Sequence, residues 1–408
     1  MNSTDFVQRV FGEYYKHFSL DETLKEIERR EFGFISFEGR MLRHKSFKNE
    51  KDLQNFLREF VPRDAYISSA YYEEPEAEME KKVWLGADLI FDIDADHIPT
   101  PCDKIHDEWI CGKCGFAGKG IVPEKCPICG GEKFDDRTWP CEVCLNSAKD
   151  ETIRILDILK DDFGFSEKEA HVFFSGHRGY HIHVENDAVK TLDAFARKEI
   201  VDYALGLGFE IFPSKTRKKD RATRVLKGLK LKDPGWRGRV ARSMHKFVAT
   251  AKKEDYEKLG LKKGIIEKLI EGKNSILKLW ENDVPWNAVK GVGFETWKKI
   301  AEFCAKSEAV NIDTVVTTDV HRLIRLSETL HGKTGLKKVE FPMSKIVEFD
   351  PLKDAVALKG GTTTVLVSDA PKFRLGEETF GPYKNQKVEL PVSAAILLIC
   401  KGRAEVAE

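Results

Sequence analysis

The chain is 408 residues long, 41% of them hydrophobic, and its 67 Lys and Arg residues balance its 67 Asp and Glu residues. This length and apolar content exclude fold-scale disorder and supply core enough for two or three domains. Zero net charge excludes whole-molecule attraction to a polyanion, so any nucleic-acid binding rests on local patches. No apolar run reaches membrane-spanning length, and Met1 to Phe18 lacks a secretory-type apolar core, which predicts a soluble, cytoplasmic chain with no membrane partner.

Helical periodicity over Phe6–Phe18 and Asp21–Arg30 opens the sequence, followed by a strand at Phe34-Ile35-Ser36-Phe37. The acidic stretch Glu73 to Glu80 predicts a solvated loop ahead of Leu89-Ile90-Phe91-Asp92-Ile93-Asp94. That segment predicts a buried strand, and at period two Asp92 and Asp94 face the same side at its end. Two carboxylates so placed can hold Mg²⁺ or Mn²⁺, with a third from elsewhere completing the oxygen set. Taken alone, the pair reads more simply as two solvated acids at a strand end.

Residues 101–149 form a cysteine-rich insertion containing eight Cys and His residues of metal-ligating type. Cys111-x-x-Cys114 and Cys126-x-x-Cys129 have the spacing of a four-thiolate zinc ribbon, a structural site with no position open for catalysis. Cys102, His106, Cys141 and Cys144 can close a second four-ligand site, giving two Zn²⁺ ions. The spacing also permits Cys126 and Cys129 to group with Cys141 and Cys144, in one site or an interleaved pair, with His106 a plain surface histidine. Cys304 and Cys400 lie outside the insertion and read as buried thiols, in keeping with a reducing compartment.

A helix over Lys149–Phe163, a strand Val172–Phe174, a turn Ser175–Gly179, a strand Tyr180–Val184 and a helix Leu192–Leu205 make an alternating α/β pattern. Ser175-Gly-His-Arg-Gly-Tyr-His181 brings donors for phosphate oxygens (Ser175, Arg178, His181) to a turn whose glycines let a ligand come close. A basic hairpin is its plainer reading. Residues 214–246 are strongly basic, with Lys215, Arg217, Lys218, Lys219, Arg221 and Arg224 clustered before a turn at Pro234-Gly235-Trp236. They read either as a contact for nucleic-acid phosphates or as a solvated surface. Helical periodicity fills Lys252–Lys306, a β-like region runs from Asp313 to Leu326, and the last sixty or so residues predict a strand over Thr362–Val367 and a helix after Pro391. Asp313, with Asp319 as a competitor, offers a further carboxylate ahead of the cations Arg322, Arg325, His331 and Lys333, the composition that a triphosphate held between metals and cations requires.

Phe91-Asp-Ile-Asp94, Ser175-Gly-His-Arg-Gly-Tyr-His181 and the Asp313–Lys333 segment, in this order around a cysteine module, resemble the small (catalytic) subunit of archaeal and eukaryotic DNA primases. His331-Gly-Lys-Thr-Gly-Leu336 is most similar to the archaeal branch. The resemblance covers most of the chain and implies an α/β fold: a mixed-sheet catalytic core with an inserted zinc-binding module and a small helical subdomain. The domain boundaries expected are 1–100, 101–149, 150–250, 251–306 and 307–408. It implies that Asp92, Asp94 and Asp313 bind two catalytic Mg²⁺ or Mn²⁺ ions, and the family interval to Arg325 and His331 favours Asp313 over Asp319. Ser175, Arg178, His181, Arg325 and His331 resemble contacts to the nucleoside triphosphate; Arg43 and Glu31 are similar to N-terminal residues facing the active site. Cys102, His106, Cys141 and Cys144 would be the family's zinc knuckle, with residues 111–129 an added ribbon. The implied activity is de novo primer synthesis on single-stranded DNA in replication, by a nucleoid-associated heterodimer with a primase large subunit. A gap-filling polymerase of repair and a non-catalytic zinc-ribbon factor are the competing readings.

Overall fold

The computed structural model describes residues 2–20, 24–211, 229–282 and 284–407. They form two compact units, one of Met1–Ile153, Phe165–Lys198 and Ile312–Glu408, the other of Arg154–Gly164 and Glu199–Asn311. No helix among the described residues is long and apolar enough to cross a membrane.

The strands of the first unit, in chain order, are β1 (Phe32–Ile35), β2 (Met41–Lys45), β3 (Asp64–Ser68), β4 (Ala70–Tyr72), β5 (Trp84–Ala87) and β6 (Leu89–Asp94). Then come β7 (Glu108–Cys111), β8 (Ala117–Lys119), β9 (Phe134–Arg137), β10 (Ala170–Phe174), β11 (Gly179–Val184), β12 (Leu323–Arg325) and β13 (Val339–Phe341). The C-terminal strands are β14 (Thr362–Ala370), β15 (Phe373–Leu375), β16 (Glu378–Phe380), β17 (Tyr383–Pro391) and β18 (Ala404–Val406).

Two four-stranded sheets carry the site, ordered β12-β3-β1-β2 and β13-β10-β11-β6. Every described pairing within them is antiparallel, which corrects the expected mixed sheet. The cause is local. β6 and β10 are joined through the long helix Glu142–Asp161, as in a parallel crossover, but the hairpin turn 175–178 folds β11 back between them. The result is a split β-α-β unit with no adjacent parallel pair.

Aromatic side chains dominate the core around the first sheet. Phe6, Phe11, Tyr15 and Phe18 of the N-terminal segment pack with Phe32, Phe34 and Ile67 from the strands, Leu53 and Leu57 from the helix Glu50–Phe60, and Ile396 from the C-terminal helix. Ile90 of β6 joins this core, so by the two-residue period the face of β6 that carries Asp92 and Asp94 is the one that carries Ile90.

Several elements depart from expectation. Within 24–30 the chain makes only a 3₁₀ turn, Ile27–Arg29, because Glu26 takes φ +49° and Arg30 is extended to reach a buried ion pair with Asp88 at 2.7 Å. Residues 21–23 lie outside the described ones. The helix expected from Lys149 starts at Glu142, taking in Cys144. In the Asp313–Leu326 region, β-branched Thr-Val-Val-Thr-Thr is helical over Thr314–Thr318, since the Asp313 carboxylate caps it by accepting from Val315 N–H at 2.9 Å. Only Leu323–Arg325 is strand there. The helix after Pro391 is Val392–Cys400, and the strand at 362 runs to Ala370.

The second unit contains the helices Gly235–Thr250, Lys253–Lys258, Lys263–Glu271, Lys273–Asn282 and Phe294–Glu308 around Trp236, Met244, Tyr256, Leu269, Trp280 and Trp297. Trp286 meets Trp297 and Trp280 edge-on at 5.2 and 5.7 Å between ring centroids. Arg239 is buried here and paired with Asp162 at 2.6 Å. Pro234 is the N-cap of the first of these helices rather than part of a free turn. The expected basic cluster Lys215, Arg217, Lys218, Lys219, Arg221 and Arg224 lies outside the described residues. Cys304 is buried and Cys400 partly so.

Candidate active site and metal clusters

In the antiparallel register His181 lies opposite Asp92, Gly179 opposite Asp94 and His183 opposite Ile90. Residues directly opposite share a sheet face, so Asp92, Asp94, His181 and His183 line one wall. Asp313 joins them through its backbone, whose N–H donates to the Asp92 carbonyl at 3.0 Å. Asp319 instead caps its own turn, accepting from His321 N–H at 2.9 Å. Burial, then the charges of Asp94 and Asp313, push the Asp92 carboxyl up to about 7. Asp94 is raised by burial too, partly offset by Arg178. These carboxylates repel one another in a poorly solvated place, which suits a divalent cation. They do not form so tight a set as the two cysteine clusters described below.

Gly176 takes φ +85°, and a Cβ there would come within 3.1 Å of His331 Cβ and 3.2 Å of the Leu336 carbonyl. That close approach brings the hairpin turn and the 331–336 loop together, and Thr334 Oγ1 fastens them by donating to the Gly176 carbonyl at 2.5 Å. The Ser175 hydroxyl accepts from the N–H groups of His177 and Gly179, each at 3.3 Å, so it also closes the turn. Arg178 is fully buried and pairs with Asp107 at 2.7 Å and with Asp96. His331 Nδ1 accepts from Lys333 N–H at 3.0 Å, which leaves Nε2 to carry the proton of the neutral ring. His177, His181 and His331 are all held well below the usual imidazole range by burial and neighbouring cations.

Arg325, from β12, pairs with Asp64 of β3 at 2.9 Å and donates to the Leu330 carbonyl. Arg43, from β2, is more exposed and is held by the fully buried Glu31 at 3.0 Å, which also pairs with buried Lys82 at 3.4 Å. The structure thus brings Asp92, Asp94, Asp313 and His181 to one wall, and Ser175, Arg178 and His331 to the adjoining loops. Arg325 and Arg43 stand on the two edge strands of the other sheet.

Three residues of this neighbourhood escaped the sequence reading. Asp64 binds Arg325 and accepts from Gly332 N–H at 2.9 Å. Asp107 follows the His106 ligand and binds Arg178. Lys401, just past the apolar helix Val392–Cys400, is buried with its Nζ 2.8 Å from His177 Nε2. Asp107 had a local signal, an acid beside a metal-ligating histidine; a lysine closing an apolar run was the only hint of Lys401.

The cysteine region resolves into two sets. Cys111, Cys114, Cys126 and Cys129 form one, and Cys102, His106, Cys141 and Cys144 the other, the ligand atoms of each set lying within 4.8 Å of one another. Sulfur separations of 3.6 Å (Cys111 to Cys129), 3.7 Å (Cys114 to Cys126) and 3.5 Å (Cys102 to Cys144) are far too long for a disulfide. They match the edges of a tetrahedron whose metal–sulfur bonds are about 2.3 Å. Grouping Cys126 and Cys129 with Cys141 and Cys144 is therefore not the arrangement adopted. The strands β8-β7-β9 form the small sheet that supports the all-cysteine set.

Carboxylates on one wall, with arginine, lysine and imidazole gathered beside them, have the composition that nucleotidyl transfer requires. A family model described as DNA primase small subunit matches residues 134–343. The chain is 32% identical to the DNA primase small subunit PriS of Nitrosopumilus maritimus, with all of both chains covered, and 34% identical to that of Methanothrix thermoacetophila, with 99% of each covered. It is also 32% identical to that of Archaeoglobus fulgidus, over 98% of this chain and 97% of the relative. The chain belongs to the DNA primase small subunit family, in its archaeal form, and is a primase catalytic subunit.

Proposed function

We propose that the chain synthesises primers de novo on single-stranded DNA from the wall of β6 and β11, with Asp92, Asp94 and Asp313 holding two divalent ions, Mg²⁺ or Mn²⁺. The observation that carries the reading is the convergence of the three acids: Asp92 and Asp94 share one face of β6, and Asp313 is hydrogen-bonded through its N–H to the Asp92 carbonyl, while burial first and then Asp94 and Asp313 raise the Asp92 carboxyl. The ions, when bound, supply activation of the primer 3′-hydroxyl and neutralisation of charge on the pyrophosphate that leaves. The chain's own residues then bind and orient. Arg178, Arg325 and the Nε2–H of His331 donate to the triphosphate, and His181, beside Asp92, donates where negative charge grows. Ser175 keeps the turn closed, and Arg43, fixed by Glu31, reaches the incoming nucleotide.

Both cysteine sets are assigned to Zn²⁺ in structural sites, since four protein ligands leave no open position. The physiological assembly on this reading is a heterodimer with a primase large subunit acting on template DNA and nucleoside triphosphates. Primer synthesis on unprimed single-stranded DNA, with and without the large subunit, tests it. Products should appear with the parent chain and vanish with Asp94→Ala or Asp313→Ala. Full product yield from either variant would remove the carboxylates from the reaction.

A further inference from the structure

We propose that Asp107 is a positioning residue that ties the Cys102–His106–Cys141–Cys144 cluster to Arg178, so that the intact link sets affinity for the nucleoside triphosphate. The proposal rests on the reading of Arg178 as a triphosphate contact.

His106 turns its two nitrogens in opposite directions. Nε2 is 3.4 Å from Cys102 Sγ and 3.3 Å from Cys144 Sγ, while Nδ1 is 2.8 Å from Asp107 Oδ1. Ligation through Nε2 makes Nδ1 the N–H donor, and a carboxylate accepting that proton fixes the ring's tautomer and orientation. The same carboxylate accepts from Trp139 N–H at 2.8 Å and from Arg178 Nη1 at 3.0 and 2.7 Å. Its main chain is tied as well: Asp107 N–H donates to the Lys104 carbonyl at 2.9 Å, and its own carbonyl accepts from Gly120 N–H at 2.8 Å. Asp107 therefore has no freedom apart from the metal module.

Arg178 is divided between two unequal partners. Asp107, 8% exposed at its side chain, takes Nη1, whereas Asp96, 35% exposed, pairs with Nη2. Nε is buried and has no hydrogen-bond partner among the described residues. The Nε and Nη2 edge is the one a phosphate engages side-on, in the bidentate geometry that favours arginine. Asp107 holds the opposite edge, so the guanidinium is aimed before substrate arrives and Asp96 is the partner a phosphate displaces. Pre-aiming removes part of the ordering cost of binding.

The test measures ATP binding by the full-length, metal-loaded chain in the presence of Mn²⁺, together with its zinc content and melting temperature. Asp107→Asn keeps the size and one acceptor of the side chain; it should weaken ATP binding about tenfold, as loss of such outer partners does at metal sites. His106→Cys supplies a fourth thiolate in place of the imidazole and removes the bond to Asp107, so it should retain two zinc ions and still bind ATP several-fold more weakly. Adding Asp107→Asn to Arg178→Ala should cost nothing further. If Arg178→Ala weakens binding while Asp107→Asn and His106→Cys bind as the parent does, the link is overturned and the arginine's role stands. If Arg178→Ala itself binds ATP normally, both fall. Should Asp107→Asn fail to fold, His106→Cys decides the matter.

Discussion

His181 stands directly opposite Asp92 across the β6–β11 pair, its Nε2 3.7 Å from the carboxylate. The imidazole is kept neutral by burial and by Lys338 and Arg325, so it does not neutralise the acid beside it. Burial first, and then the charges of Asp94 and Asp313, raise the Asp92 carboxyl to about 7, so the metal-free fold disfavours the ionised acid at this place.

Replacing that acid should therefore stabilise the metal-free chain while abolishing its activity. Because the folded pKa exceeds the unfolded one, the folded state holds the proton more tightly, and stability falls as pH rises from about 4 to about 7. Asp92→Asn should melt above the parent at pH 8 without divalent ions, gain less than the parent from added Mn²⁺, and make no primers. Scanning fluorimetry in both conditions decides it; a lower melting point for the metal-free variant at pH 8 contradicts the argument.

Gly179 contributes by what it lacks. A Cβ there would lie 2.3 Å from the Ile93 carbonyl and 2.9 Å from Asp94 Cα, so Gly179→Ala must push β11 from β6 where the acids sit. The expected outcome is a folded chain destabilised by about 1–3 kcal/mol with at least a tenfold loss of turnover. Gly264→Ala, in a helix with nothing within 4 Å, is the control and should leave turnover unchanged.

Lys401 supplies a pH signature of the opposite chemical kind. Burial, Arg178 and Lys333 push its ammonium down to about 7, so the folded chain releases a proton that the unfolded chain keeps until about 10.5. The unfolded state binds more protons in that interval, and stability from this group rises as pH climbs from 7 to 10. Urea unfolding across that range should show the rise in the parent and a flatter profile in Lys401→Met.

Metal analysis separates the two cysteine sets. The parent should carry two zinc ions per chain, and Cys114→Ser or Cys144→Ser one each. Only the second should disturb nucleotide binding, since its set contains the His106 that meets Asp107. Equal effects on ATP affinity from both variants would contradict the separation.

Much of this site was legible in the residues. Alternation in Leu89–Asp94 placed the two acids on one face, and Cys-x-x-Cys spacing named the ligands, though only the fold chose between groupings. Asp313 stood out ahead of its cations and was preferred to Asp319 through resemblance, but its surroundings misled: β-branched residues read as strand, and a single side-chain cap made them helical. The antiparallel sheet was hidden because the helix between β6 and β10 signals a crossover, and periodicity does not say which strand will slip between. Asp64 meets Gly332 from 268 residues away, a pairing with no local trace.

The cluster of Cys102, His106, Cys141 and Cys144 takes ligands from just after β6 and from the start of the helix leading to β10. It is a clasp closing a loop: chain enters and leaves at the same point, and the all-cysteine ribbon lies within that loop, with Glu108 of β7 also paired to Arg403 at 3.0 Å. The turn between Cys114 and Cys126 can therefore lengthen or shrink without re-registering the strand that bears the acids, whereas a change at the clasp is transmitted to both strands it joins.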